Sequence, residues 1–185
     1  QFPVGEKNTV WFGPKIENYY MHATAPSIYE PITKQFTLGG NGAAYGASTK
    51  TGAGWAYTAD NGFAISSNVV ATSTGIISDT ATSWATQIGI TKPRYSASLM
   101  VNQKYNGWED GYYSTTKGHY RTSDGSSTSS LQTANSTNYG LRAWWRPEDA
   151  GTAVPTISAG YDMSTIDISD QSLNQTDAWF LGLNW

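Results

Sequence analysis

The chain has 185 residues, a formal net charge of -3, 38% hydrophobic and 14% aromatic residues, and no cysteine. These totals exclude a disulfide framework, a thiolate metal site and a membrane-spanning helix of about 20 apolar residues. The charge is small and mixed, with no basic cluster, so nucleic acid is not an expected partner.

Residues 7–16 (KNTVWFGPKI) read as an irregular strand, because Pro14 lacks the N–H that a ladder needs. Residues 17–51 show no sustained period and read as a long loop, which in a porin either folds into the lumen and narrows it or is an ordinary outer loop. Residues 52–60 and 62–71 are strands around Asp60, Asn61 and Gly62, a strong hairpin signal. Residues 72–82 form a Ser/Thr-rich loop.

The clearest pattern lies in 83–105. Trp84, Ile88 and Ile90 share one parity, and after Lys92, Pro93 and Arg94 the residues Tyr95, Ala97, Leu99 and Val101 share the next. Residues 106–136 are a second long loop. Strands follow at 138–146, where Arg142 and Arg146 oppose Tyr139, Leu141, Ala143 and Trp145, at 154–163, and at 177–185. Residues 147–153 form a short reversal and 167–176 a polar loop.

The connections thus alternate strictly between long and short, as in an up-and-down antiparallel transmembrane β-barrel with short turns on one rim. Arms of about 10 residues, at roughly 3.3 Å each and a tilt near 45°, span on the order of 25 Å, the height of a bilayer's apolar band. On the apolar parity Trp84, Tyr105, Tyr139 and Trp179 fall at the long-loop rim. Phe63, Tyr95, Trp145 and Trp185 fall at the short-turn rim, so two aromatic girdles are expected. Gln87, Asn102, Lys104, Arg142, Arg146 and Asp162 lie on the polar parity and would line a pore, with the arginines facing Asp162 across neighbouring strands. Trp144 and Phe180 do not fit this assignment.

FPVGEKNTVWFGPKIENYY, KQFTLGGNGAAYGAST, GAGWAYTADNGFAIS and above all YGLRAWWRPEDAGTAVPTISAGYD resemble the cyanobacterial major outer-membrane porins. That group is called the iron uptake porins and is related to the carbohydrate-selective porins. The resemblance implies a trimer in outer-membrane lipid that passes small hydrophilic solutes and inorganic ions, iron included. It also implies that residues 1–185 are one porin domain holding about 8 strands of a barrel of about 16, with an envelope-anchoring domain and further strands elsewhere.

No cofactor or enzymatic activity is expected. The two histidines, His22 and His119, fall in loops, and Glu17, Glu30, Glu109 and Asp124 are too scattered for a catalytic pair. The GGNGAAYG stretch at 39–46 misses the dinucleotide fingerprint at Tyr45. Glu109, Asp110, Tyr112, Tyr113 and His119 offer weak cation ligands in one loop. Two rivals remain: a secreted carbohydrate-binding β-sandwich, and a complete 8-stranded outer-membrane barrel with a structural role. A sandwich buries its aliphatic residues between two sheets, whereas a channel wall exposes them.

Overall fold

A computed structural model of the chain describes residues 1–17, 21–24, 49–72, 80–106, 120–121, 127–128, 135–149, 153–167 and 175–185. They are all-β, with strands β1 (Phe2–Val4), β2 (Asn8–Glu17), β3 (Thr49–Thr58), β4 (Phe63–Ala71), β5 (Thr82–Lys92), β6 (Tyr95–Tyr105), β7 (Tyr120–Arg121), β8 (Ser127–Thr128), β9 (Asn135–Trp145), β10 (Thr156–Asp167) and β11 (Gln175–Asn184). Nine form one antiparallel sheet in the order β1-β2-β3-β4-β5-β6-β9-β10-β11, and β7 pairs with β8 apart from it. The sheet is open, with β1 at one edge and β11 at the other.

The strands follow from the period of two. Along β6 every residue at the parity of Ser96 is buried, while its neighbours are exposed or half-exposed. The register aligns these parities across the sheet: Gln87 faces Met100, Met100 faces Gly140, and Gly140 faces Asp162. On the opposite face, Ile88, Leu99, Leu141, Tyr161 and Trp179 form one cross-strand row. A one-residue slip in any strand would break both rows at once.

The turns are set locally. Gly62 has φ +83, which only glycine adopts without strain, and the Phe63 N–H donates to Asn61 Oδ1 at 3.0 Å. At Pro14 the pairing of β2 with β3 shifts between Gly13 and Ile16, so the irregularity expected of this strand is a local slip in its ladder.

The polarity of the sheet is inside-out. Its buried residues are mainly polar, among them Ser66, Asn68, Ser83, Gln87, Ser96, Ser98, Asn102, Lys104, Asn138, Arg142, Ser158 and Asp162, beside the apolar Ala56, Ala64, Val70, Ala85 and Met100. Leu99, Ile157 and Leu181, which a sandwich would bury together, are all exposed. The apolar cluster that does exist is small: Met21 and Val70, with Trp11, Ile16 and Ala81 against them.

Several boundaries differ from the sequence reading. β1 adds a ninth strand, too short to leave a periodic trace. β3 begins at Thr49, β9 at Asn135 and β11 at Gln175, so each takes residues assigned to a long loop. β10 runs to Asp167, four residues beyond the expected 163. The stretch 39–46, the loop groups Glu109, Asp110, Tyr112, Tyr113 and His119, and the acids Glu30 and Asp124 lie outside the described residues.

Candidate functional site

The covered polar face is the candidate site, and the two halves of the sheet build it differently. Across β5, β6 and β9 the polar side chains bond mainly to one another, although Asn138 Oδ1 is buried without a partner. Ser83 Oγ donates to Asn102 Oδ1 at 2.9 Å, Asn138 Nδ2 donates to Asn102 O and to Ser136 Oγ at 3.0 Å each, and the Thr91 and Ser96 hydroxyls share a bond at 3.0 Å. Lys104 stands in the same face at 0% exposure.

The Arg142 guanidinium grips Asp162 with both ends, Nη1 to Oδ1 at 2.7 Å and Nη2 to Oδ2 at 2.8 Å, and Nη1 also donates to Leu141 O at 2.8 Å. Both side chains are almost wholly buried. A paired, bidentate geometry of this kind holds two charges out of water. The Cα partner of Arg142 is Gly160, not Asp162. That glycine is required by the packing, since a Cβ there would run into Phe180 and Arg142. Phe180 lies with its ring centroid 5.2 Å from Arg142 Cζ, a cation–π contact, and this explains an aromatic residue on the polar parity.

Gln87, Asn102, Lys104, Arg142 and Asp162 therefore share one buried face. Arg146 does not join them. It lies one residue past the end of β9, exposed, with Cζ 5.7 Å from the Trp144 ring, so the second misfit aromatic is also a guanidinium platform.

Across β3, β4 and β5 the face is covered by residues 21–24, part of the long 17–51 connection. Gln87 holds this strap as a backbone would: Thr24 N donates to Gln87 Oε1 and Gln87 Nε2 donates to Thr24 O, both at 2.8 Å. Ala23 N donates to Ser66 Oγ at 3.1 Å, and Asn68 Nδ2 contacts His22 Nδ1 at 3.3 Å. Met21 fills the apolar notch beside Val70.

Glycines make the room. A Cβ on Gly54 would meet Met21 Sδ at 2.7 Å, and one on Gly89 would meet Thr24 Oγ1 at 2.6 Å. Residues 21–24, the part of the 17–51 connection that is described between β2 and β3, lie against the polar face of the sheet. Their partners Ser66 and Asn68 were not singled out by sequence; the only signal was the recurrence of glycine on the polar parity.

No family model, curated protein or solved structure matches the chain.

Tyr95, Trp145 and Trp185 are exposed at the short-turn ends of their strands, with Phe63 half-buried, and Trp84 and Tyr105 are exposed near the ends toward the long connections. Tyr139 and Trp179, expected at that same rim, are exposed at mid-strand instead, because β9 and β11 begin at Asn135 and Gln175 and Trp179 stands in the row of Leu99 and Leu141. Tyr95 directly opposes Trp145, and Trp84 Nε1 donates to Ser67 Oγ at 2.8 Å. The short-turn rim is also stitched by charge. Lys7 Nζ binds Asp60 Oδ2 at 2.6 Å, and Arg94 Nη1 lies 3.3 Å from Glu148 Oε2. The hydrogen bond and charge of Asp60 raise the Lys7 pKa above its ordinary value. Among the described residues no three His, Asp or Glu side chains gather as a cation site.

Among the described residues the face presents hydroxyls, amides, Lys104, His22 and the Arg142–Asp162 pair, all groups that offer hydrogen bonds.

Proposed function

We propose that this chain forms wall of an outer-membrane porin, a closed transmembrane β-barrel through which small hydrophilic solutes and inorganic ions, iron among them, diffuse passively. The observation that carries this reading is the inverted burial. Among the described residues, the buried side chains are mainly polar, while Trp84, Leu99, Leu141, Tyr161, Trp179 and Leu181 are exposed on the other face. A water-soluble sandwich has the opposite arrangement, and hydrocarbon is the solvent that stabilises this one.

Three further features support it. The three shortest connections (5–7, 59–62, 93–94) share one rim and the two longest (18–48, 106–134) the other, while 146–155 on the first rim is longer than 168–174 on the second, so the strict alternation expected from the sequence does not hold. Exposed aromatic side chains near strand ends, Tyr95, Trp145 and Trp185 on one rim and Trp84 and Tyr105 on the other, stand where membrane interfaces favour them. Ala97, Ala143 and Ala159 line an apolar groove of about 810 Å³ beside Leu99, Leu141 and Tyr161, room for acyl chains rather than for a polar ligand. The resemblance to cyanobacterial porins adds the outer membrane and a homotrimer to the proposal. Within the passage, the strap at 21–24 narrows the bore on the β3–β5 side, and the Arg142–Asp162 pair shapes the wall opposite without presenting a free charge.

Planar-bilayer recording tests the reading. The full chain in detergent, added to a lipid bilayer, is expected to give stepwise ohmic currents, and liposomes containing it should swell in a small sugar. A monodisperse protein that needs no detergent and yields no current would overturn it.

A further inference from the structure

We infer that the apolar face docks a lipid bilayer along a belt that crosses the strands obliquely, so that residues paired side by side in one row of the sheet lie at different depths. The inference rests on the porin reading and names where its lipid partner begins and ends on this face.

The rows of the register carry the argument. One row joins Phe12, Val69 and Trp84 on β2, β4 and β5 to Gln103, Thr137 and Gln175 on β6, β9 and β11. It is apolar as far as β5 and polar from β6 onward. The next row toward the short turns changes later, since Val101, Tyr139 and Met163 are followed on β11 by the exposed Asp177. One row further, the apolar run from Ile88 reaches Trp179 on β11 without a break. Beside the short turns the order is reversed. There Lys92 on β5 shares a row with Ile157 and Leu183 on β10 and β11.

The apolar window therefore slides toward the short turns as the sheet is crossed, and it keeps its height. Its outward positions run over 84–90 on β5, 95–101 on β6, 139–145 on β9 and 179–185 on β11. The one polar side chain among them is Thr86, whose hydroxyl is bonded to Ser67 Oγ at 3.0 Å.

Aromatic side chains mark both edges of this window. Tyr139 stands two residues below the row of Trp84, and Trp179 two residues below the row of Tyr139, each after two more strands have been crossed. That descent is why both are found at mid-strand. Phe63, Tyr95 and Trp185 step down in the same direction along the lower edge. Two residues cover about 6.6 Å along a strand and two strands about 9.6 Å across, so the upper edge is inclined by about 35° to the rows. An edge lying in the bilayer surface then tilts the strands by about 35° from the membrane normal, inside the range of roughly 35–45° found in membrane barrels. Alternation along a strand does not set this angle, so the agreement is independent of the inverted burial.

The parallel edges also select the occupant. A soluble protein or a second copy covers a bounded patch and gives no reason for two edges to run parallel from β4 to β11. A bilayer has two parallel surfaces, with aromatic side chains favoured at each and charges such as Lys92 and Asp177 favoured beyond them.

The test uses the full chain, which has no cysteine, carrying one introduced cysteine at a time in lipid nanodiscs, where both membrane surfaces are open. The rate of modification by a water-soluble maleimide is read for two members of one row: Val101→Cys with Asp177→Cys, and Leu183→Cys with Lys92→Cys. Val69→Cys with Gln103→Cys supplies a third row should a variant fail to fold. In every pair the second cysteine is expected to react faster than the first by more than an order of magnitude. Equal slow rates within a pair, or the reverse order, would mean that the belt follows the rows, which overturns this inference and leaves the porin reading standing. Folded variants that all react as fast as free cysteine would show that no part of the face is in hydrocarbon, and both would fall.

Discussion

The two halves of the polar face start from the same alternation and reach burial by different routes. Across β6, β9 and β10 the wall covers itself: Arg142 grips Asp162, Phe180 lies over the guanidinium, and Asn138 bridges Asn102 and Ser136. Across β3, β4 and β5 the side chains are too small to cover themselves, with Gly54, Gly89, Ala56, Ala64 and Ala85 on that parity, and residues 21–24 supply the cover. The first half is held by strand register and cannot be opened without unpairing strands. The second is held by a few side-chain contacts and can be changed without touching the ladder. In a channel, the first half would set stability and the second would set bore.

The largest effect should come from the self-covered half. Replacing Asp162 with Ala leaves the Arg142 charge buried and should cost about 3–5 kcal/mol, read as denaturant unfolding in detergent. A paired Arg142→Met, Asp162→Leu variant should recover most of that loss, because the buried charge leaves with its partner. If Asp162→Ala is as stable as the parent, the two halves are not distinguished by this pair.

Next in size is Gly160→Ala. Its methyl would collide with the Phe180 ring and Arg142, at about 1–3 kcal/mol of destabilisation. Adding Phe180→Ala should cancel part of that collision, so the double variant should be more stable than the two separate effects predict.

Gln87→Ala sharpens the comparison from the other side. It removes both bonds to Thr24, about 1–3 kcal/mol of local anchoring, and should leave β6–β10 exchange protection unchanged. The readout is liposome swelling: the variant should admit larger sugars than the parent does. Equal size limits would show that the strap does not define the bore.

The smallest effect belongs to the short-turn rim. Lys7 has its pKa raised by Asp60, so the folded state binds this proton more tightly than the unfolded one. The contribution is complete below the ordinary lysine pKa and disappears as pH rises through the elevated value. Stability curves of the parent and of Lys7→Met should therefore differ slightly at neutral pH and converge in strong alkali. Because this pair is exposed, neither half of the polar face should respond.

The same contrast explains what was legible in the sequence. Alternation leaves a direct trace, so Tyr95, Ala97, Leu99 and Val101 announced β6, and Asp60-Asn61-Gly62 announced a turn that needs a positive φ at its glycine. Opposite charges at Arg142 and Asp162 were visible as facing strands, although only the register shows that they meet diagonally past Gly160. Arg146 was assigned to the polar parity because the period gives no warning of where a strand stops. In the sequence the strap stays open to either reading, because its docking depends on distant residues: Gln87 and Ser66 reach it from other strands, and the recurrence of glycine on the polar parity marks space without saying what fills it. Three-residue β1 left no trace at all.

The most direct measurement uses the absence of native cysteine. Single cysteines at Leu99, Leu181 and Asn102, each carrying a nitroxide, can be compared in lipid for collisions with dissolved oxygen and with a polar nickel chelate. An inside-out wall requires Leu99 and Leu181 to meet oxygen preferentially, and Asn102 to be shielded from it. Leu99 and Leu181 shielded together from both reagents, with Asn102 open to the chelate from bulk water on an outer surface, would contradict it.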